Sequence, residues 1–294
     1  MRHRAFSTIG LWTVVGLVVW VGGMFSVAEQ AAFLLLATLI LLAQHEFYRL
    51  ADRIPGTRRS GSGGLLAGAA LLFGLFFLAP ERLRYSHALN FAALAFGVHL
   101  LLMLRRPTET PALLRTLPAL YGFLYLPFML SSLVGIARME DGAMLARQPV
   151  GLYYVLWVVV ATKFTDVGGL LVGVPFGRHK IAPEISPAKS WEGCAGGLLL
   201  SALSSAAFAW LCSGPLGLSF MVPWKAAVLA LPLAALSIPS DLAESVFKRQ
   251  AGAKDSGSTI PGIGGALDLV DSLVITGPAA MLLLSYFLEW AKRS

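Results

Sequence analysis

Long apolar runs alternate with short polar connections along the whole chain, and this pattern predicts a protein built into a lipid bilayer. A helix needs about 20 mostly apolar residues to cross roughly 30 Å of hydrocarbon. We therefore predict an all-α polytopic membrane protein with about nine transmembrane helices. The apolar runs lie near residues 8–25, 30–44, 64–78, 88–104, 113–136, 150–165, 194–211, 224–240 and 272–290.

The composition excludes a water-soluble globular protein. Hydrophobic residues make up 56% of the chain and charged residues only 13%, and the mean hydropathy is +0.72. A soluble domain of this size carries about twice that share of charge. The first apolar run follows Arg2 and Arg4, and we expect it to stay in the membrane as a span rather than to be removed as a signal peptide.

The basic residues report the orientation of the spans. The net charge is +7, which in a soluble protein would suggest nucleic acid as a partner. In a membrane protein, Lys and Arg accumulate in the cytoplasmic loops. With a cytoplasmic N-terminus, one side receives about twice as many basic residues as the other. This places residues 45–63, 105–112, 163–193 and 241–271 on the cytoplasmic side of the membrane, which we expect to be a bacterial-type inner membrane. Because the positive charge reports orientation, we expect no nucleic-acid partner.

Two connections, 163–193 and 241–271, are too long and too polar to be simple turns. In the first, Pro175, Pro183 and Pro187 predict that no helix is continuous. In the second, residues 241–250 predict a helix that emerges from the eighth span, and residues 266–272 resume a helix. Between them lies a Gly-rich stretch of residues 254–265, here named the signature loop. We expect the two cytoplasmic connections to form the active site.

The most informative polar residues are Asp268 and Asp271, at the mouth of the ninth span. Their spacing of three places both carboxylates on one face of a helix. An aspartate in a lipid-facing helix costs about 2.5–3.5 kcal/mol, so the pair needs water, cations or a metal. Carboxylate oxygens are the ligands that Mg²⁺ prefers. The pair therefore predicts a metal-dependent site.

Cationic and glycine residues near this pair are the complement that polyphosphate chemistry needs. Lys248 and Arg249 supply charge-assisted donors, and the signature loop supplies free backbone N–H groups. Phosphoryl transfer proceeds largely by positioning and charge neutralisation. Taken alone, Lys248 and Arg249 also fit an ordinary positive flank of a span. The glycines at 168, 169 and 173 likewise fit either close helix packing or a phosphate-binding turn.

These residues resemble the signature of the phosphatidate cytidylyltransferase (CDP-diacylglycerol synthase) family. That signature runs Ser-x-hydrophobic-Lys-Arg, Lys-Asp, a Gly/Ser-rich loop, Pro-Gly-His-Gly-Gly and Asp-Arg-hydrophobic-Asp. The resemblance is strong over about the last 130 residues and weak elsewhere. The matching positions are Ser245, Lys248, Arg249, Lys254, Asp255, Pro261, Gly262, Gly264, Gly265, Asp268 and Asp271.

Two further segments resemble elements of the same family. Glu46-Phe47-Tyr48, at the end of the second apolar run, is similar to its Glu-aromatic element. The connection at 163–193 is similar to its second conserved segment, through Asp166, Gly173, Gly177, Ser186, Pro187, Lys189, Glu192 and Gly193.

The resemblance implies phospholipid biosynthesis, in which CTP and phosphatidate give CDP-diacylglycerol and pyrophosphate. It implies Mg²⁺ as cofactor, allows an assisting K⁺ and a homodimer, and assigns the metal to Asp268 and Asp271. It also implies N-terminal transmembrane helices over residues 1–112 and a catalytic region over 113–294. Lys248 and Arg249 join the two aspartates as catalytic residues, and the expected substrate-binding residues are Asp166, Ser186, Lys189, Glu192, Asp241, Ser245, Lys254, Asp255, Gly264 and Gly265.

The chain departs from the signature at Ile263, where His is usual, and at Leu269, where Arg is usual. These departures leave a non-catalytic homologue as an alternative function. A membrane transporter is a second alternative, although it would need ionisable residues or broken helices near the middle of the bilayer. Here the ionisable residues gather at one rim of the predicted spans.

Overall fold

Apolar stretches of this length form helices wherever the structure describes them. The structure, a computed structural model, describes residues 27–54, 61–78, 112–139, 150–213, 221–259 and 264–293. The helices are α1 (Ala28–Ala51), α2 (Gly61–Phe73), α3 (Ala112–Phe123), α4 (Met129–Ala137), α5 (Val150–Phe176), α6 (Trp191–Ser213), α7 (Pro223–Gln250) and α8 (Ala266–Arg293), and the strands are β1 (Lys180–Ala182) and β2 (Ser186–Ser190).

Six helical stretches in the described part of the chain are long and apolar enough to cross a membrane. Wider π-helical turns at Gly74–Leu78 and Leu124–Phe128 extend α2 and join α3 to α4. The helical, multi-pass architecture is thus confirmed. Two of the predicted runs, 8–25 and 88–104, lie outside the described residues, so the count of nine spans stays a prediction. The six stretches are α1, Leu117–Ala137, α5, α6, α7 and Ala266–Leu288.

The first polar connection is shorter than predicted, because α5 continues through residues 163–176. The apolar run predicted to end near residue 165 instead ends at Phe176, whereas the prediction that the prolines prevent one continuous helix through this connection is confirmed. Pro175 is the penultimate residue of α5, so its missing N–H and its clash with the preceding turn affect only the helix end. Only residues 177–190 leave the helices, and within them β1 and β2 form an antiparallel hairpin that the sequence analysis did not predict.

Glycines allow α5 and α6 to approach closely. A Cβ atom on Gly168 would lie 2.5 Å from the carbonyl oxygen of Gly196, and one on Gly197 would lie 2.7 Å from that of Thr165. Ser201 Oγ also donates to the Ala161 carbonyl oxygen across the two helices, at 2.8 Å. Of the two interpretations of the glycines in α5, the structure supports helix packing.

The second polar connection follows its prediction closely. The helix over 241–250 is the end of α7, and α8 begins at Ala266. Gly252 ends α7 in a left-handed conformation, with φ of 63°. Its neighbour Ala253 donates its backbone N–H to the Lys248 carbonyl oxygen at 2.9 Å, which closes a Schellman-type cap. The cap thus ends α7 shortly before the signature loop begins at residue 254.

The chain divides into two compact units. The first contains Met1–Gly135 and Phe247–Val270, and the second contains Ile136–Val246 and Asp271–Ser294. The end of α7 and the start of α8 therefore belong to the first unit, and the rest of both helices belongs to the second. The predicted division into N-terminal helices (1–112) and a catalytic region (113–294) is a division by function, which the compact units do not test. It stays a prediction.

Candidate active site

In the first unit, Asp268 joins the end of α7, the signature loop and the start of α8. Its Oδ1 lies 2.7 Å from Lys248 Nζ. Its Oδ2 accepts hydrogen bonds from Ser256 Oγ at 2.7 Å, from the Ser256 N–H at 3.2 Å and from the Gly265 N–H at 2.8 Å. Gly264 adopts a φ of 129°, which favours glycine. Asp268 thus joins the two described parts of the loop, at Ser256 and at Gly265, through charge-assisted hydrogen bonds.

In the second unit, Asp271 faces a lysine that the sequence analysis did not assign to the site. Its Oδ1 lies 3.4 Å from Lys163 Nζ, and the residue is only 7% exposed. Lys163 Nζ also donates to Ser272 Oγ at 2.7 Å and lies 3.7 Å from Asp166 Oδ2. The cation therefore offsets the cost of burying the Asp271 carboxylate. The available signal was a lysine near the end of an apolar run, three residues before an aspartate.

Three carboxylates of the second unit come close enough to share a metal ion. Oxygen atoms of Asp241, Glu244 and Asp271 all lie within 4.8 Å of one another. Asp241 also pairs with Lys189, at 2.5 Å. Ser240 Oγ donates to the Asp271 backbone carbonyl oxygen and so joins α7 to α8 beside the cluster. Three adjacent hard oxygen donors fit a small divalent cation such as Mg²⁺.

Among the described residues, this group of close donor atoms contains Asp271 but not Asp268. The two aspartates lie one turn apart on α8, as the spacing predicts, yet each makes its contacts in a different compact unit. Glu244 was not selected as a site residue from the sequence, although it lies three residues after Asp241 on the same helix.

The hairpin holds two of the predicted substrate-binding residues. Ser190 caps α6 by accepting the Gly193 N–H at 3.2 Å. In the first turn of α6, Glu192 Oε1 lies 2.6 Å from His179 Nδ1. Glu192 therefore fixes the start of the hairpin, while Lys189 reaches Asp241 from its second strand. Ser186 lies half-buried in β2.

The other predicted site residues lie on α7, α8 and the signature loop. Arg249 is exposed at the end of α7 and donates to the Ala253 carbonyl oxygen at 3.4 Å. Lys254 and Asp255 are exposed on the loop, and Ser245 is half-buried on α7. Of the two departures from the signature, Leu269 is half-buried on α8, whereas Ile263 lies outside the described residues.

Comparison with known proteins places the chain in a family. A model of the "Cytidylyltransferase family" matches residues 2–287. A phosphatidate cytidylyltransferase of Brucella suis is 31% identical over 289 residues, which cover 98% of this chain and 95% of that protein. A phosphatidate cytidylyltransferase of Haemophilus influenzae is 39% identical over 137 residues, which cover 47% of this chain and 46% of that protein. The corresponding Mycobacterium bovis protein is 38% identical over 144 residues, 49% of this chain and 45% of that protein.

The last two matches thus span less than half the length of those relatives, whereas the Brucella match spans nearly all of both chains. The family model extends over both compact units and over both polar connections. The chain belongs to the cytidylyltransferase family.

Proposed function

We propose that the chain is a phosphatidate cytidylyltransferase, a nucleotidyltransferase of phospholipid biosynthesis. A phosphate oxygen of phosphatidate forms a bond to the α-phosphorus of CTP. The bond from that phosphorus to the bridging oxygen breaks, and pyrophosphate leaves with the electron pair. Two observations carry the proposal, both within the segment that carries the family signature. In the first unit Lys248 pairs with Asp268, and in the second unit Asp241, Glu244 and Asp271 bring their carboxylate oxygens together.

The metal requirement follows from the charge of both substrates. Asp271, together with Asp241 and Glu244, would hold Mg²⁺ through carboxylate oxygens. When bound, Mg²⁺ would neutralise the charge that develops on the leaving pyrophosphate. The motif also assigns Asp268 to the metal and allows an assisting K⁺. Hydrogen-bond donors already occupy both oxygens of Asp268, so the Mg²⁺ dependence of Asp268→Asn is the test of that assignment. Lys163 pairs with the Asp271 carboxylate, its Nζ lying 3.4 Å from Oδ1.

The cations and the signature loop would bind the phosphates and the nucleotide. Lys248 is held by Asp268, and Lys189 by Asp241, so both ammonium groups are oriented before substrate arrives. Such preorganisation lowers the cost of ordering the site. The remaining proposed substrate contacts are Arg249, Lys254, Asp255, Ser245, Gly264, Gly265, Asp166, Ser186 and Glu192.

An assay of the purified protein tests this function. Labelled CTP and phosphatidate in detergent micelles are expected to give CDP-diacylglycerol with Mg²⁺ and no product after chelation of Mg²⁺. A protein that binds CTP but forms no product would be the non-catalytic homologue that Ile263 and Leu269 leave open. A protein that forms no product but moves a solute across proteoliposomes would be a transporter.

The orientation of the site follows from the distribution of Lys and Arg. We propose a multi-pass protein of the bacterial inner membrane whose active site faces the cytoplasm, where CTP is made. The homodimer rests on the resemblance alone.

Reporter fusions after residues 60, 108, 180 and 256 are expected to report the cytoplasm, and fusions after residues 85 and 143 the opposite side. Activity of paired cytoplasmic and periplasmic reporters at each position measures this. A reversed result at 180 or 256 would separate the site from its nucleotide and contradict the proposed orientation.

A further inference from the structure

A buried carboxylate near the end of α1 binds the signature loop, although the two lie more than 200 residues apart along the chain. Glu46 is 3% exposed. Its Oε2 accepts the Leu267 N–H at 2.9 Å and lies 3.3 Å from Ser256 Oγ, and its Oε1 accepts a hydrogen bond from Thr259 Oγ1. Its three partners thus lie on the described parts of the loop and on the first turn of α8. A buried carboxylate with several donors is a strong and costly contact to break.

The loop is shaped to admit this carboxylate. A Cβ atom on Gly257 would lie 2.5 Å from Glu46 Oε1 and 2.7 Å from Glu46 Cδ, and one on Gly265 would overlap Glu46 Oε2 and Ser256 Oγ. Neither glycine has a positive φ that would itself require glycine. The absence of a side chain at these two positions is therefore explained by the closeness of Glu46.

The neighbouring residues of α1 fix the position of Glu46. The ring of Phe47 stacks on Phe247 near the end of α7, with centroids 4.3 Å apart. Tyr48 Oη donates to the Ala119 carbonyl oxygen at 2.9 Å, and Gln44 Nε2 donates to that of Gly64 at 2.9 Å. The end of α1 is thus held by α2, α3 and α7 within the first compact unit.

We propose that Glu46 is a positioning residue for cytidylyl transfer: it sets the conformation of residues 256–259 and 265–267 and does not contact substrate. Ser256 connects the two carboxylates, because its hydroxyl lies 2.7 Å from Asp268 Oδ2 and 3.3 Å from Glu46 Oε2. Glu46 thereby supports Asp268 and, through Asp268, the orientation of Lys248. The role in catalysis rests on the proposed function, whereas the binding of the loop by Glu46 does not.

The test compares the full-length protein with Glu46→Gln, which keeps the side-chain shape but places an amide against N–H and O–H donors. Hydrogen exchange at the Leu267 amide of α8 is expected to become at least about tenfold faster, while exchange at the amides of α1 is expected to stay unchanged. The kcat/KM for CTP is expected to fall at least about thirtyfold, because the phosphate-binding groups are displaced. The apparent KM for phosphatidate is expected to change by less than about twofold. Glu29→Gln, at the opposite end of α1, is the matched control.

A pair of variants tests the contact from the loop side. Gly257→Ala is expected to reproduce the loss, and Glu46→Asp combined with Gly257→Ala is expected to recover at least about fivefold in kcat/KM for CTP over Gly257→Ala alone, because the shorter acid makes room for the methyl group. Additive losses in the double variant, unchanged Leu267 exchange in Glu46→Gln, or equal losses for both substrates would each overturn the proposal. An inactive native protein would instead refute the proposed function and leave the exchange measurement to decide whether Glu46 holds the loop.

Discussion

Asp271→Asn is expected to lower turnover by at least about a hundredfold and to raise the Mg²⁺ concentration needed for half-maximal rate. The change removes one negative charge from the group formed with Asp241 and Glu244, whose oxygen atoms lie within 4.8 Å of one another. A hundredfold loss corresponds to about 2.7 kcal/mol of transition-state stabilisation, a size that the loss of a metal ligand readily accounts for. Initial rates measured over a series of Mg²⁺ concentrations, at saturating CTP and phosphatidate, test both parts.

The folded state should tolerate this change. Lys163 keeps its hydrogen bond to Ser272 Oγ at 2.7 Å and its contact with Asp166 at 3.7 Å, so its ammonium group still has a polar and an anionic partner. Glu184→Gln, in the exposed turn of the hairpin, removes an equal charge and should alter the rate by less than about twofold. Near-normal turnover in Asp271→Asn, at ordinary Mg²⁺, would remove Asp271 from the metal site.

Asp268→Asn is expected to lower turnover by a similar factor, at least about a hundredfold, through loss of the loop geometry. The Asp268 carboxylate accepts from Lys248 on one oxygen and from Ser256 and Gly265 on the other. An asparagine amide turns a donor toward one of these donor sets, whichever way it is placed. Kinetics should therefore show a raised KM for CTP together with the lower kcat.

The Mg²⁺ dependence separates the roles of the two aspartates. For Asp268→Asn we expect the half-maximal Mg²⁺ concentration to stay within about twofold of the native value, since the donors around Asp268 already occupy both oxygens. A shift as large as that of Asp271→Asn would instead support the metal assignment that the motif implies. Ser256→Ala, which removes a single hydroxyl donor from Asp268, is the graded control and should cost less than about tenfold. A full hundredfold loss in that variant would contradict the division of roles.

The helices could be predicted from the sequence, because each needs only a local property, an apolar stretch long enough for the bilayer. The end of α7 at Gln250 and the start of α8 at Ala266 were also predicted, since glycine and proline stop helices locally. The end of α5 at Phe176 could not be predicted in this way. Its glycines have low helix propensity, and packing against Gly193, Gly196 and Gly197 of α6 overrides that propensity.

The contacts that the candidate site residues make could not be predicted from the sequence. The motif identifies Asp268, Asp271 and Lys248, but the pairing of Asp271 with Lys163 joins residues 108 positions apart. Spacing along one helix predicts which side chains share a face, and it says nothing about which distant helix they meet. Glu46 belongs to a family element that the sequence shows, but its contact with Leu267, 221 positions away, could not be predicted from spacing. The closeness of Glu244 to Asp271 likewise depends on how α7 packs against α8.

The distance along the chain between Glu46 and Leu267 has a consequence for how the protein is made. The acceptor is synthesised 221 residues before its backbone donor. At about 5–20 residues per second, roughly 10–45 s pass between the two events. Until Ser256 is made, 210 residues after Glu46, α1 carries its carboxylate with none of the loop donors yet synthesised. In a chain that ends before residue 256, water or the lipid headgroups must therefore solvate the Glu46 carboxylate.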